Sequence, residues 1–330
     1  MIFLSAADTE AVFDWNTAVA CIQSAYATDS TGRGVPGRLV AADKSAWIRC
    51  MPAIPASGRY MGSKQIARTR AGKVTYLITL YDKESGELAF LIDAIAITSM
   101  RTASTSVSAL NYLSRGKPLR IGLIGSGLEA RMHAQAICHR HKVEEIVIYS
   151  PTVANREKLA ADLNDIHGVK TSTAGSAREA MKDANCAVAA ARSRDESPLL
   201  YAEWLAPGTI VLSIGSTTPS QREVDISVIA RAGLIVTDVP DELSQDTGDM
   251  QAATAAGIAF DSKLMSLHDL VQGRIPAGRL DADLVMFKSV GSALQDIAFA
   301  EMIADAALVK GLGTNLALGL SVKQSIGKNV

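Results

Sequence analysis

The chain has 330 residues, and its 33 basic and 34 acidic side chains leave a formal net charge of −1. This length suits two ordinary domains, and the balanced charge, with no block of like sign, argues against nucleic acid or an anionic membrane as a partner. Four well-separated cysteines without a C-x-x-C pair predict reduced thiols, not a disulfide framework or a metal site. The balanced charge therefore favours a small-molecule partner. No basic segment followed by an apolar run opens the chain, so we expect a cytoplasmic protein.

The first hundred residues change from a helical to a β-type pattern. Aromatic and aliphatic side chains recur at helical spacing over residues 12–27. Strands are predicted at residues 46–51, 60–67, 74–81 and 87–93. The Asp82 to Gly86 segment supplies turn chemistry for a hairpin between the last two. Small residues over 97–113 predict a helix, and Gly116-Lys117-Pro118 predicts a domain boundary after it.

The most informative segment follows that boundary. Leu119 to Ile124 is an apolar strand that runs into Gly125-Ser126-Gly127-Leu128-Glu129-Ala130 and then into a helix over 131–141. The first glycine permits a tight turn, the second lets the backbone approach phosphates, and the small Ala130 lets helix and strand pack closely. The helix N-terminus adds N–H groups and a positive dipole end. The segment therefore predicts a dinucleotide-binding turn formed by residues 125–130.

Strand-like and helix-like runs alternate after this turn. They lie at 145–150, 157–164, 178–183, 186–191, 209–214, 226–232 and 234–238. This alternation predicts βαβ units and a doubly wound parallel sheet, and residues 293–309 predict a long amphipathic helix. The predicted fold class is α/β, with a Rossmann domain over 117–296 and an α+β domain formed by 1–116 plus 297–330.

The end of the second Rossmann strand indicates which dinucleotide binds. An Asp or Glu about 20 residues after the glycines usually selects NAD by bonding the ribose 2′-OH. Here the chain reads Tyr149-Ser150-Pro151-Thr152, so no carboxylate repels a 2′-phosphate, and Arg156 and Lys158 follow. Both cations could equally be solvated helix charges. We expect NADPH as the cofactor in preference to NADH, held in part by Ser150, Thr152 and Arg156.

Isolated cations are candidates for the substrate site. An enzyme acting on an amino or imino acid must hold the α-carboxylate, and Arg suits this because its planar fork matches a carboxylate. The candidates are Arg38, Arg49, Lys64 and Arg101. Lys64 and Arg101 stand alone among apolar or small residues, so each needs a partner if it is buried. That partner is either a substrate carboxylate or an internal acid, and the residues alone leave both open.

Four separated motifs together resemble the ornithine cyclodeaminase and μ-crystallin family. They are Met51-Pro52-Ala53 with Gly62-Ser63-Lys64, Arg101-Thr102-Ala103, Gly125 to His133, and Phe287-Lys288-Ser289-Val290-Gly291 followed by Gln295-Asp296. The resemblance extends from about Arg38 to Asp296. It implies that the first domain binds substrate and dimerises through a β-rich interface, so we expect a homodimer.

The resemblance also implies roles for single residues. Arg38, Lys64 and Arg101 would hold the substrate carboxylate, with Lys64 and Arg101 as the catalytic residues. Lys64 would lie near the reacting C=N bond and polarise or protonate its nitrogen. Thr102 would lie beside the cofactor, and Ser289 to Gly291 would close over the nicotinamide. The family includes ornithine cyclodeaminases, ketimine reductases, an archaeal alanine dehydrogenase and imino-acid reductases, so membership leaves the activity open.

One departure from the family pattern decides the activity that we predict. Ornithine cyclodeaminases carry an Asp in a Gly-x-Asp-x-Pro-Gly segment, where it handles the distal amine, and Thr217 takes that position here. A hydroxyl neither neutralises an ammonium group nor acts as a base at neutral pH. We therefore predict an NAD(P)H-dependent reductase of an α-imino acid, reversible in principle as an amino-acid dehydrogenase. In it Thr217 either contacts substrate or is a loop residue that packs near the cofactor. The alternatives are an ornithine cyclodeaminase or hydroxyproline dehydratase using bound NAD, and a non-catalytic, NADPH-binding protein like μ-crystallin.

Overall fold

A computed structural model of the protein describes residues 1–29, 33–193, 195–276, 278–317 and 320. Within these ranges the chain forms two compact units. Unit one comprises Met1–Asp14, Ser30–Thr98 and Ala293–Val330, and unit two comprises Trp15–Asp29 and Ser99–Ser292. Among the described residues, no helix is both long and apolar enough to cross a membrane.

The regular elements alternate along most of the chain. The strands are β1 (Ile2–Leu4), β2 (Leu39–Ala42), β3 (Trp47–Ala53), β4 (Tyr60–Arg68), β5 (Val74–Asp82), β6 (Leu88–Asp93), β7 (Leu119–Ile124), β8 (Val143–Tyr149), β9 (Thr171–Thr173), β10 (Cys186–Ala189), β11 (Thr209–Ser213), β12 (Leu234–Thr237), β13 (Leu264–Ser266), β14 (Leu284–Lys288) and β15 (Thr314–Asn315). The helices are α1 (Ala6–Val12), α2 (Trp15–Ala27), α3 (Ile95–Leu113), α4 (Leu128–Arg140), α5 (Val153–His167), α6 (Ala177–Ala180), α7 (Ile226–Arg231), α8 (Pro240–Asp246), α9 (Gly248–Ala255), α10 (Leu267–Val271) and α11 (Ala293–Val309).

The strands of unit one form a mixed sheet in the order β15-β1-β6-β5-β4-β3-β2. β1 pairs with β6 in parallel, whereas β2 to β6 pair antiparallel with their sequence neighbours. The predicted hairpin turn between β5 and β6 forms because the Asp82 carboxylate accepts from the N–H groups of Glu84 and Ser85. Helix α11 packs on β3, β4 and β5, and its buried Ile297 lies against Gly62 of β4. This helix is therefore the main cover of one sheet face.

The strands of unit two form a parallel sheet in the order β13-β12-β14-β11-β10-β7-β8-β9. The central strands β10, β11 and β14 are buried at every position, as expected where both faces of a parallel sheet are covered. The chain proceeds outward from β7 to β8 and β9, then places β10 on the opposite side of β7. Open α/β sheets bind ligands at the strand carboxyl ends of such a reversal. The predicted doubly wound Rossmann sheet is confirmed.

Several element bounds differ from those predicted, each for a local reason. The helix predicted from residue 131 begins at Leu128, because Gly127 is already its N-cap. Sequence analysis missed α1, which starts where Ser5 and Asp8 form a reciprocal capping box. The helix predicted over 12–27 is α2, which begins at Trp15 because Val12 already ends α1.

The compact units also differ from the predicted domains at 15–29, 99–116 and 293–296. Residues 15–29 belong to unit two because α2 packs against α4 and α10. Residues 99–116 join it because Ser106 of α3 bonds to His133 of α4. Residues 318, 319 and 321–330 of the predicted first domain lie outside the described residues. As a division into independently folding domains, 1–116 plus 297–330 and 117–296 stays a prediction.

The two glycines of the β7–α4 turn differ in backbone conformation and in the space around them. Gly125 has a φ of +123°, and a Cβ there would lie 2.6 Å from the Ala190 carbonyl oxygen at the end of β10. Gly127 has an ordinary φ of −78°, and a Cβ there would meet nothing within 4 Å among the described residues. The fold therefore requires a glycine at 125 and leaves open space beside 127.

We expect Gly125→Ala to lower the free energy of unfolding by about 1–3 kcal/mol, because the methyl group meets backbone and the φ disfavours alanine. Gly127→Ala should change it by less than about 1 kcal/mol, the ordinary effect of alanine at an N-cap. Urea unfolding followed by circular dichroism measures both values. Equal losses in the two variants would contradict this distinction.

Candidate functional site

In unit two, hydroxyl groups connect the glycine turn to the end of β8. The Ser150 hydroxyl donates to the Thr152 carbonyl oxygen at 3.3 Å, and Ser126 Oγ lies 2.8 Å from Ser150 Oγ. Either hydroxyl can donate in the bond between Ser126 and Ser150. The structure thus brings together Ser126, Ser150 and Thr152, three residues predicted to bind the cofactor.

Arg156 folds back over the same strand end. Its Nη1 donates to the Ser150 carbonyl oxygen at 2.8 Å, and its guanidinium carbon lies 5.9 Å from the centre of the Tyr149 ring. Lys158, the other predicted cation, instead pairs with Asp162 one turn along α5, with a side chain that is 71% exposed. The structure therefore places Arg156 at the strand end and Lys158 on the solvated helix face.

The Ser289 to Gly291 segment at the end of β14 is held by Asp238, which sequence analysis missed. Asp238 follows β12, and its carboxylate accepts from the N–H groups of Val290 at 2.8 Å and Gly291 at 3.0 Å. The Ser289 hydroxyl adds a longer bond of 3.4 Å. The sequence signal that could have identified Asp238 is a carboxylate directly after a buried strand. These bonds fix the backbone of the segment predicted to cover the nicotinamide.

Arg101 lies on α3 against the same segment. Gly291 has a φ of +88°, and a Cβ on it would lie 3.0 Å from Arg101 Nη1, so a side chain there would displace the guanidinium group. Arg101 and the following Thr102 are both buried. Helix α3 is in turn tied to α4, since Ser106 Oγ lies 3.0 Å from His133 Nε2.

His133 is neutral at ordinary pH and therefore has defined hydrogen-bond roles. Burial lowers its pKa to about 4, although the Glu129 carbonyl oxygen partly opposes this shift. That carbonyl oxygen can only accept, so Nδ1 carries the proton that it receives at 2.7 Å. Nε2 then accepts from the Ser106 hydroxyl. This bond connects the helix of Arg101 and Thr102 to the first turn of α4, which contains the predicted Leu128, Glu129 and Ala130.

Thr217 lies half-buried in a loop that closes on Gln221. The Thr217 N–H and hydroxyl both donate to Gln221 Oε1, at 3.0 Å and 3.3 Å, and the Ser216 hydroxyl donates to the Gln221 carbonyl oxygen at 2.6 Å. Nothing in the residue pattern had indicated this partner. The Thr217 side chain thus supplies a hydroxyl that is oriented by an amide.

The acids that follow Thr217 in sequence are bound within unit two. Glu223 is fully buried and accepts from the Ser213 hydroxyl and the Ile214 N–H at 2.7 Å and 2.9 Å. Burial raises the pKa of Glu223 to about 7, while the charge of Lys288 lowers it and that of Asp249 raises it. Asp225 caps α7 by accepting from the N–H of Ser227.

Unit one contains a buried ion pair. Lys64 Nζ on β4 lies 2.7 Å from Asp296 Oδ1 in the first turn of α11, and the side chains are 1% and 0% exposed. Of the two partners left open by the sequence, an internal acid is therefore present for Lys64. Asp296 belongs to one of the four family motifs, but its role was not predicted, because 232 residues separate it from Lys64. Arg38 lies half-buried immediately before β2 of the same unit.

The chain is similar in sequence to known proteins. Residues 2–311 match the model of the ornithine cyclodeaminase/mu-crystallin family. A Delta(1)-pyrroline-2-carboxylate reductase from Bacillus cereus is 25% identical, over 88% of this chain and 91% of that protein. The ketimine reductase mu-crystallin of Rattus norvegicus is 26% identical, over 69% and 68% of the two chains.

A solved structure is also similar over nearly the whole chain. The Delta(1)-pyrroline-2-carboxylate reductase of Thermococcus litoralis, in complex with NADH and L-proline, superposes with a TM-score of 0.87. It is 25% identical, and the alignment covers 96% of this chain and all of that one. The protein therefore belongs to the ornithine cyclodeaminase/mu-crystallin family.

Proposed function

We propose that the protein is an NAD(P)H-dependent reductase of a small α-imino acid, able in reverse to act as an amino-acid dehydrogenase. Its relatives include a pyrroline-carboxylate reductase and a ketimine reductase. The parallel sheet and the glycine turn of unit two support a dinucleotide cofactor. A reductase is favoured over a lyase by Thr217, which, by the family resemblance, takes the position where cyclodeaminases carry a carboxylate.

Loss of ammonia from a diamino acid needs a group that accepts a proton from, or pairs with, the distal amine. The Thr217 hydroxyl donates to Gln221 and carries no charge. The neighbouring acids offer no substitute, because Glu223 accepts bonds from Ser213 and Ile214 and Asp225 caps a helix. The loop therefore lacks the chemistry that cyclodeamination requires.

The substrate carboxylate is proposed to bind Arg101 and Arg38, and its imine nitrogen is proposed to receive a proton from Lys64. Arg101 lies against Gly291, so a carboxylate bound by its guanidinium group would be held beside the nicotinamide segment. Such positioning can supply several kcal/mol of barrier reduction. When bound, the cofactor supplies the hydride for the imine carbon.

NADPH is the proposed cofactor, and the residues around the glycine turn fit it. The space beside Gly127 leaves room for the pyrophosphate at the N-terminus of α4, where N–H groups and the dipole favour an anion. Arg156 has five N–H donors and uses Nη1 on the Ser150 carbonyl oxygen. It therefore offers charge-assisted bonds to a 2′-phosphate placed at the end of β8.

The reductase assignment predicts turnover of imines with stoichiometric use of cofactor. The substrates to test are cyclic imines and mixtures of keto acids with amines. Nicotinamide absorbance and amino-acid analysis should show one product molecule per NAD(P)H consumed.

Lys64→Ala and Arg101→Ala should lower kcat/KM at least ~10²-fold, because each removes a charged contact to the reacting acid. Arg120→Ala is the matched control, since Arg120 pairs with Glu145 on the surface, and it should retain wild-type turnover.

The same assay separates the alternatives. Steady conversion of ornithine to proline and ammonia without net cofactor change would replace the reductase by a lyase. Cofactor binding with a raised melting temperature but no turnover of any imine would replace it by a binding protein.

The cofactor assignment predicts a lower Kd for NADPH than for NADH. Ser150→Asp should reverse this preference, since the new carboxylate repels a 2′-phosphate and accepts from the 2′-OH. Arg156→Gln should weaken NADPH binding by roughly 10-fold with little effect on NADH, whereas Lys158→Gln, which removes a solvated cation of the same helix, should change neither. Fluorescence titration measures each Kd, and a lower Kd of the wild-type protein for NADH would contradict the assignment.

A homodimer is proposed through the β2 edge of unit one. All four residues of β2 are exposed, and Leu39, Val40 and Ile48 are 70%, 52% and 46% exposed. An edge strand with exposed apolar side chains is prone to pair with another chain unless it is covered. A second copy of the same edge supplies matching apolar side chains and unpaired backbone groups, as a two-fold interface requires.

Ile48→Glu should therefore shift the protein from dimer to monomer, because the interface would bury an unpaired charge. Sedimentation equilibrium measures the mass. Leu308→Glu changes a residue of α11 that is 45% exposed, and it should leave the dimer intact. A monomeric wild-type protein, or a dimer that survives Ile48→Glu, would exclude this interface.

A further inference from the structure

The Lys64–Asp296 pair lies between a sheet and its covering helix. Across the sheet, Lys64 of β4 is in register with Met51 of β3 and Ile78 of β5, and both neighbours are buried. Neither neighbour carries a charge that could compensate the ammonium group. Asp296 Oδ1, at 2.7 Å, does so from the N-terminal turn of α11.

Other titratable groups are present on the elements around Lys64. The titratable side chains on the same sheet face or on α11 are Arg49, Tyr60, Arg68, Tyr76, Asp82, Glu301 and Asp305. Arg49 lies over the Trp47 ring, and Glu301 accepts from the N–H groups of Arg59 and Tyr60 at the start of β4. Lys64 Nζ donates a hydrogen bond of 2.7 Å to Asp296 Oδ1.

A buried ammonium group loses its hydration, and this favours loss of its proton unless an opposite charge compensates. The first turn of a helix is a place where the dipole favours a negative charge, and Asp296 occupies that turn. The bond also fixes one of the three Nζ–H directions, which determines where the other two point. Charge and orientation of Lys64 therefore depend on the same carboxylate.

We propose that Asp296 is a positioning residue that keeps Lys64 protonated and oriented to protonate the substrate nitrogen; the proposal rests on the reductase function. In this step the imine nitrogen forms an N–H bond with a proton of the Lys64 ammonium, while the imine carbon receives the hydride of NAD(P)H. The C=N bond becomes a C–N single bond, leaving NAD(P)⁺ and a neutral Lys64. Lys64 then regains a proton from water.

Asp296→Asn tests this role because it removes the charge and retains the size. The ratio of wild-type to variant kcat/KM for imine reduction should be at least ~10-fold at about pH 8 and should shrink toward about pH 6, because an uncompensated ammonium loses its proton about 1–3 pH units earlier. The alkaline limb of the pH profile thus shifts to lower pH. A purely structural role would give the same loss at every pH.

Two further variants keep the test independent of folding. Asp296→Glu retains the charge but moves it by one methylene. The alkaline limb of its pH profile should therefore stay at the wild-type pH. Its kcat should fall roughly 10-fold with little change in KM. Glu301→Gln is the matched control, since Glu301 is a carboxylate of the same helix that bonds the same strand. It should leave the alkaline limb unchanged.

Urea unfolding of Lys64→Met, Asp296→Leu and the double variant measures the coupling between the two buried charges without relying on catalysis. Each single variant leaves one buried charge and should lower the urea midpoint, and the double variant should recover much of that loss. Additive losses, or an Asp296→Asn defect that does not vary with pH in an active enzyme, would overturn this inference and leave the reductase function standing. A wild-type protein that reduces no imine would overturn the proposed function, and this inference with it.

Discussion

The buried, oppositely charged side chains of Lys64 and Asp296 determine how unit one is assembled. Removing one partner of such a pair leaves an uncompensated buried charge, which typically destabilises a fold by about 3–5 kcal/mol. Strand β4 and the first turn of α11 therefore tolerate Lys64 and Asp296 only together. The apolar side chains of α11 supply most of the burial energy, and the ion pair selects one position of the helix on the sheet. The sheet is consequently completed by a helix that follows the whole of unit two in sequence.

Charged side chains have a comparable role at the carboxyl ends of the strands in unit two. Asp238 binds the backbone of Val290 and Gly291, while Glu223 binds the end of β11 through Ser213 and Ile214. Each carboxylate satisfies donors that would be costly to bury unpaired. These bonds give the loops at the ends of β11, β12 and β14 fixed conformations. Binding groups on such loops are preorganised, which lowers the entropy lost when a ligand binds.

Local patterns in the sequence were sufficient for most of the fold. Helix α11 was predicted with its observed bounds, and the glycine turn and the hairpin at Asp82 depend on residues that are close in sequence. The pairings that organise the site were not predictable in this way. Asp296 with Lys64, Asp238 with Val290, and Gln221 with Thr217 each depend on how the backbone turns, and two of these pairs join distant segments. A carboxylate in an apolar run signals that a partner exists without identifying it.

The distribution of charge favours proton delivery over release of ammonia. A cyclodeaminase must neutralise a second amine, and this requires a carboxylate that is available to substrate. Near Thr217 the acids already serve the fold, because Glu223 is enclosed beside Lys288 and Asp249 and Asp225 caps α7. Lys64, by contrast, carries three donors, of which Asp296 receives one. A cation compensated by a buried carboxylate can give up a proton and regain it without changing its position. That property suits reduction of a C=N bond, in which the nitrogen must gain a proton as the carbon gains a hydride.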